Sequence, residues 1–354
     1  MRVALVADAG SIHTQRWVTA LVARGVVVDL FSERRWDGSP IPVHYLPKSR
    51  RGRLQIPWAV SLLQRQMANQ RPDVVHAHYA SHFGLYGALS KIRPLVVSVW
   101  GADVEVFGER HPLVNSRVLR YIFNQAQAIT ASSHYLASVT QRYTPKPVAV
   151  IPFGIDIKNF REYPKNLVPE FRWIINKSLD PVYGIDIILK AFSILDARGL
   201  TSWRGRILGT GRDYDRLVKQ SVALGISDRV EFLGQISSPS LPQNLAWADA
   251  GLYASHRESF GVAPLEMMAL GRAVVAHNIG GLTEVVSEGC TGLLVTNNVP
   301  LTWADTLAPL VASPETIRKL GKNGPQWVAS RYNFHDNVEQ MLGVYRKYAG
   351  EGVV

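Results

Sequence analysis

Two α/β domains built on doubly wound parallel sheets are what this 354-residue chain predicts, and three observations carry that expectation. Short apolar runs alternate with longer helical patterns along the chain, the signature of parallel strands joined by crossover helices. The length exceeds what one hydrophobic core usually organises, since single cores stop growing at ~250–300 residues. A composition of 47% hydrophobic and 19% charged residues is that of an ordinary globular protein with material for two cores.

The strands are expected in order. Residues 3–7 open the chain, followed by 26–31, which carries three consecutive valines, and then by 73–77, 94–99 and 128–131. Each is a short, nearly continuous apolar run, as strands covered on both faces are. A polar, proline-bearing stretch from Asn159 to Asn166 has no periodicity and marks the domain boundary. Beyond it the scheme repeats with runs at 172–176, 206–208, 229–233, 251–253 and 273–276. Residues 337–348 form an amphipathic terminal helix. The domains are therefore set at 1–162 and 163–332, with 333–354 as a C-terminal helical segment.

The bulk properties exclude several function classes. No apolar run approaches the ~20 residues that span a bilayer, and the first eight residues are too short and too soon interrupted for a signal peptide, so a cytoplasmic location is expected. The single cysteine, Cys290, excludes a disulfide framework or a thiolate zinc cluster. Thirty-nine Lys and Arg against 28 Asp and Glu give a net charge of +11, which favours anionic partners. The basic cluster from Lys48 to Arg53 precedes an apolar stretch containing Trp58. Peripheral contact with an anionic membrane surface, at the inner face of the cell membrane, is one reading of it. A solvated loop before a core helix is the other. Nucleic acid is not expected as a partner, because no zinc finger, aromatic RNA-binding motif or basic zipper is present.

The stretch Glu258-Ser259-Phe260-Gly261-Val262-Ala263-Pro264-Leu265-Glu266 carries the chemistry. Residues 250–255 read as a buried strand, and Pro264 fits the first turn of a helix running to about Leu270, so Glu258 lies on a loop and Glu266 in the first helical turns. A strand, a loop and a helix N-terminus together offer backbone N–H groups to a diphosphate. Two carboxylates facing one cavity suit sugar hydroxyls. A dipole-complementing Glu266 and a solvated Glu258 are the structural alternatives.

This spacing resembles the Glu, seven residues, Glu signature of retaining GT-B glycosyltransferases, family 4. Further stretches match in order: Ile151-Pro152-Phe153-Gly154-Ile155-Asp156 with Phe160, Ile207-Leu208-Gly209-Thr210-Gly211, Val230-Glu231-Phe232-Leu233-Gly234-Gln235, and Gly280-Gly281-Leu282-Thr283-Glu284-Val285-Val286. The resemblance implies the GT-B fold: two Rossmann-like domains facing across a cleft, the first binding acceptor and the second the nucleotide sugar, with the last helix crossing back onto the first domain. It also implies roles. Glu258 contacts hydroxyls of the transferred sugar, Glu266 the ribose, Gln235 and Ile236 the base, and Phe260, Gly261 and Val262 present amides to the donor. Lys177 stands where the family usually has Arg, and neutralises the departing diphosphate. The family's next lysine is replaced by Tyr183. Near the acceptor end, Gly10 and His13 follow the first strand, Trp100 stands in place of a histidine common in the family, and Asp103 is a hydroxyl partner or weak base. Gly209 belongs to a glycine turn beside the donor. His76 and His78 are expected to hydrogen-bond acceptor or phosphate rather than hold a metal.

The implied function is retaining transfer of a sugar from a nucleotide-diphosphate donor to a glycan or lipid-linked acceptor, as in cell-surface polysaccharide or glycolipid synthesis, without metal or cofactor. Two alternatives stand beside it. One is a sugar-nucleotide epimerase or hydrolase, with its acid and base drawn from His13, Asp103 and Glu258. The other is a non-catalytic module that binds glycans or sugar nucleotides.

Overall fold

A computed structural model describes residues 1–47, 56–160, 163 and 168–350. The basic cluster from Lys48 to Arg53 lies outside them. By contacts the chain divides into two units, Met1–Phe153 joined by the chain from His335 on, and Gly154–Phe334. That division falls upstream of the polar stretch at which the sequence suggested a boundary.

The first unit is built on a seven-stranded sheet of β1 (Arg2–Val6), β2 (Val27–Ser32), β3 (Val43–Tyr45), β4 (Val74–His78), β5 (Leu95–Val99), β6 (Ala128–Ala131) and β7 (Val148–Val150). All pairings are parallel and the order is β3-β2-β1-β4-β5-β6-β7. Every residue of β4 and β5 is buried, so the apolar runs that predict them are strands covered on both faces. The edge strands β3 and β7 are three residues each and only partly buried.

The helix Phe334–Ala349 completes this unit. Val338, Met341, Leu342 and Tyr345 recur at helical spacing and are all buried. The Tyr345 hydroxyl lies 2.6 Å from Nδ1 of His76, whose Nε2 is 2.7 Å from Ser98 Oγ. His76 is thus a core residue with both ring nitrogens satisfied, which corrects its expected role as a ligand contact. Arg24 of the helix Ile12–Val22's C-terminal extension pairs with Glu339 at 2.5 Å.

The second unit has β8 (Phe171–Asn176), β9 (Trp203–Leu208), β10 (Val230–Gly234), β11 (Ala250–Tyr253), β12 (Ala273–His277) and β13 (Gly292–Val295), all parallel in the order β10-β9-β8-β11-β12-β13. Its core stacks Phe192 on Trp203 at 4.4 Å and sets Phe171 4.2 Å from Trp173, with Trp303 fully buried nearby. Where the chain enters and leaves this unit, Ile155 pairs with Asn333, the Ile155 N–H donating to Tyr332 O and the Phe334 N–H to Ile155 O, each at 3.0 Å.

Three histidines, two of them fully buried, make the first unit acid-sensitive. Burial lowers His76 from its ordinary 6.5 to about 3; burial, then Arg16, lowers His13 to about 4; burial, His76 and His13 hold His78 well below the ordinary value. All three stay neutral when folded but accept a proton when unfolded below pH ~6.5, so the stability they allow is present above that value and lost as pH falls toward 4. Each contributes a slope of about 1.4 kcal/mol per pH unit across that window. Calorimetric melting should therefore show the transition temperature falling steeply from pH 6.5 to 4.5, with proton uptake on unfolding read from buffers of different ionisation enthalpy. A flat profile would show that the imidazoles titrate normally.

Candidate active site

In each sheet the strand order reverses once, between β1 and β4 in the first unit and between β8 and β11 in the second. Crossovers on the two sides of such a reversal leave on opposite faces, and a crevice opens beyond the carboxyl ends of the two central strands. The residues that the sequence singled out divide between these two ends.

In the second unit, Asn176 ends β8 and Lys177 follows it. Ser255 and Glu258 follow β11, and Glu266 sits in the helix Val262–Ala269. Lys177 Nζ forms a close ion pair with Glu258 Oε2, which Ser255 Oγ approaches to 3.4 Å. Both side chains are largely buried, and the ammonium also lies 4.9 Å above the ring of Tyr183. The Tyr183 ring therefore backs the Lys177 cation. Glu266 is held by Asn176, whose Nδ2 donates to Oε2 at 2.9 Å. Asn176 is fixed in turn by the buried Tyr253 hydroxyl, 2.7 Å from Asn176 Oδ1 and 3.0 Å from the Ala263 carbonyl oxygen. Burial and the carboxylates of Glu266 and Glu258 raise the Tyr253 pKa far above its ordinary value, so this hydroxyl keeps its proton. Neither Asn176 nor Tyr253 was singled out in the sequence. The signal was present for Asn176, a polar residue directly after the apolar run Trp173-Ile174-Ile175 of β8.

Glycines set these positions. Gly209 has φ +125, and a Cβ there would fall on the carbonyl oxygen of Lys177; its own N–H donates to Gly234 O at 2.7 Å. It therefore positions Lys177 by close backbone approach. Gly261 has φ +110 and turns the loop into the helix Val262–Ala269. The Gly281 N–H donates to Glu258 O at 2.8 Å, clasping the loop. Phe260 is buried with its ring edge-on to Tyr332 at 5.7 Å, so only its backbone serves the crevice. Gln235 and Ile236 follow the edge strand β10, with Gln235 Oε1 3.5 Å from Thr210 Oγ1.

In the first unit, Asp8, Gly10, Ser11 and His13 follow β1, and His78 and Tyr79 lie at the end of β4. The Gly10 N–H donates to Asp8 Oδ1 at 2.9 Å, closing its own turn rather than pointing to a ligand. Ser11 stands before the helix Ile12–Val22 without a side-chain capping bond. His13 stacks on Phe153 at 4.6 Å and meets Trp100 edge-on at 6.0 Å. Trp100 lies 4.6 Å from His78. Asp103 is fully buried, its carboxylate accepting N–H bonds from Ala80 at 2.6 Å, Gly101 at 2.7 Å and Trp100 at 3.1 Å. Burial raises its pKa to about 6 against those amides. It closes the turn after β5 and corrects the expectation of a hydroxyl partner or base. Among the described residues no group of three His, Cys, Asp or Glu side chains is arranged to hold a metal ion.

Residues 158–327 match the family described as glycosyl transferases group 1, and residues 2–133 match glycosyl transferase 4-like proteins. The chain belongs to the group 1 glycosyltransferases. Among curated relatives, the D-inositol 3-phosphate glycosyltransferase of Segniliparus rotundus is 26% identical over 383 residues, covering 96% of this chain and 85% of that one. The N-acetyl-alpha-D-glucosaminyl L-malate synthase of Bacillus anthracis is 27% identical, covering 77% and 74%. Among solved structures, sucrose-phosphate synthase from Thermosynechococcus elongatus superposes with a TM-score of 0.84 at 22% identity, covering 98% of both chains. Anabaena HepE in complex with UDP and glucose gives 0.81 at 20% identity, covering 98% of this chain and 100% of that one. The fold is GT-B, two Rossmann-like domains, and the glycosyltransferase is an enzyme.

Gly209→Ala tests the backbone account of this group 1 site. The substitution meets both a left-handed φ and a carbonyl oxygen, so urea unfolding should show a loss of about 2 kcal/mol or more, well beyond an ordinary loop substitution. A loss under about 0.5 kcal/mol would mean that Lys177 is placed by other contacts.

Proposed function

We propose that this glycosyltransferase moves a sugar, with retention of anomeric configuration, from a nucleotide-diphosphate donor at the second unit's crevice to a glycan or lipid-linked acceptor. The observation that carries the reading is the placement of Lys177, Glu258 and Glu266 at one switch point, with Glu266 oriented through Asn176 and Tyr253. Lys177 takes the diphosphate, together with amides at the start of the helix Val262–Ala269. Glu258 accepts hydrogen bonds from the transferred sugar and Glu266 from the ribose. When the anomeric carbon–oxygen bond breaks, its electron pair passes to the phosphate oxygen, where the lysine's charge offsets it. The acceptor oxygen attacks from the same face and its proton goes to that phosphate oxygen, so the protein supplies no nucleophile. No metal or cofactor is called for in this scheme.

The epimerase or hydrolase alternative loses ground. Asp103 is committed to three backbone amides, so one of its three acid–base candidates is occupied. Cell-surface polysaccharide or glycolipid synthesis at the inner face of the membrane is the setting we infer, with the basic cluster from Lys48 to Arg53 contacting anionic lipid. Among the described residues no helix is long and apolar enough to cross a membrane.

Thermal stabilisation by nucleotide diphosphates and their sugars tests the donor assignment, because a ligand that binds only the folded state raises the melting temperature. One sugar nucleotide should shift the wild type selectively, with Glu266→Ala reducing the shift. No shift with any member at millimolar concentration would remove the transferase reading. With the donor so identified, Lys177→Ala should lower kcat about 10²–10³-fold, the range for removing one preorganised charge partner of a leaving group. A Lys177→Ala enzyme that kept kcat within about twofold would place leaving-group stabilisation elsewhere.

A further inference from the structure

The sheet of the first unit has a hollow at each end. One, a cavity of about 370 Å³ at the β1/β4 switch point, is lined by His78 and Glu33 among others and belongs with the carboxyl-end residues already described. The other is a cleft of about 760 Å³ between the helix Pro112–Gln125 and residues 141–146. Those two segments lead into β6 and β7. The cleft therefore lies at the amino ends of the strands, the opposite end of this sheet from His13, His78 and Trp100.

Its charge has one sign. Arg120, Arg142 and Lys146 line it, and among the described residues no carboxylate does. Arg120 and Arg142 are exposed, and neither guanidinium has a hydrogen bond or ion pair among the described residues. Lys146 serves the framework as well. Its ammonium donates to the carbonyl oxygens of Asn124 at 2.8 Å and Ala126 at 2.6 Å, where the helix ends, and keeps one N–H donor beyond those two. Burial, then the neighbouring Arg93 guanidinium, lowers its pKa below the ordinary lysine value, and the second cause marks positive charge gathered around it. The Gln141 side chain secures the same segment, Nε2 donating to the carbonyl oxygens of Thr144 at 2.7 Å and Lys146 at 3.1 Å.

The walls are thus preformed, while two guanidiniums keep their donors. Cations gathered without an acid raise the local potential, and a bound anion relieves it. Guanidinium forks match phosphate oxygens in pairs. The volume is well beyond a lone ion and falls in the ~300–1,000 Å³ range of small-molecule sites.

We propose that this cleft binds a phosphate ester, Arg120 and Arg142 gripping the phosphate while Lys146 braces the cleft and adds charge. The site is independent of the transferase reading. Phosphate esters come as soluble sugar phosphates or as anionic lipid headgroups, and the chemistry that recognises them here is the same.

Calorimetric titration with glucose 6-phosphate and fructose 1,6-bisphosphate, and co-sedimentation with phosphatidylcholine vesicles with and without phosphatidylglycerol, test this at low ionic strength. The wild type should bind a sugar phosphate with Kd below about 1 mM, which names a soluble ligand, or only the phosphatidylglycerol vesicles, which names a lipid headgroup. Arg120→Gln with Arg142→Gln should weaken that binding at least about tenfold, the loss of two charge-assisted contacts. The melting temperature should not move, since neither guanidinium holds a contact of the fold. Arg110→Gln with Arg117→Gln removes the same charge from exposed positions outside the cleft and should change binding less than about twofold. Equal weakening by that control pair would show general attraction to a basic surface and overturn the proposal. So would undiminished binding in the Arg120 and Arg142 variant, binding of a sugar phosphate that is lost in Lys177→Ala instead, or no binding to any probe.

Discussion

The reversal of strand order in each sheet is the constraint on which the rest depends. Parallel strands covered on both faces leave no solvent for a polar side chain except beyond their carboxyl ends, and only at the reversal do neighbouring crossovers part enough to open a crevice there. A polar residue near the end of β4 or β8 therefore has two fates. His76 is taken up by Ser98 and Tyr345 inside the core, while His78, two residues on, reaches the cavity. Asn176 does both, bonded to the buried Tyr253 on one side and orienting Glu266 on the other.

The positions of the charged groups are set by backbone packing more than by their own interactions. Lys177 begins where the backbone of β8 meets the Gly209 turn, with no room for a side chain at that glycine. Gly184 plays the same part against the Ala254 carbonyl, and Gly281 against Ser259 and Phe260. Three glycines from separate loops thus bring β8, β11 and the loop carrying Glu258 to backbone contact. An ammonium and a carboxylate placed by such contacts are preorganised, and so have little to rearrange when a ligand arrives.

Much of this was legible in the sequence, for reasons that differ by residue. The central strands announce themselves because strands buried on both faces must be continuous apolar runs, whereas β3 has none, and β7 and β13 are sheet-edge runs of only three and four residues. Glu258 and Glu266 stand out through their spacing across a glycine and proline turn, and the structure brings the loop and helix where they were expected. A sequence shows that an amide or a carboxylate is available, but not that a neighbour will claim it, as Asp8 claims the amide of Gly10 and the amides of Ala80, Trp100 and Gly101 claim Asp103. Glu33 gave no signal, since its partners Tyr86 and His82 reach it only through the pairing of β1 with β2 and β4. The left-handed backbone of Tyr79 is likewise invisible in a residue type that seldom adopts it.

Lys177 and Glu258 neutralise each other, and that pairing bears on selectivity as well as catalysis. A crevice with a bare ammonium beside helix amides would attract any phosphate, and the exposed positive charge elsewhere on the chain would do nothing to discourage it. With the pair closed, an inorganic phosphate can recruit the lysine only by leaving a largely buried carboxylate without its cation, a loss that opposes binding. In the proposed donor site a sugar nucleotide would supply both replacements at once, phosphate oxygens for Lys177 and sugar hydroxyls for Glu258. With the Tyr183 ring behind the ammonium, the lysine would exchange one anion for another without losing its aromatic contact. On this reading the change from a family lysine to Tyr183 removes a second cation that would have held phosphate unconditionally, and what remains is a site whose charge is released by the sugar it is meant to transfer.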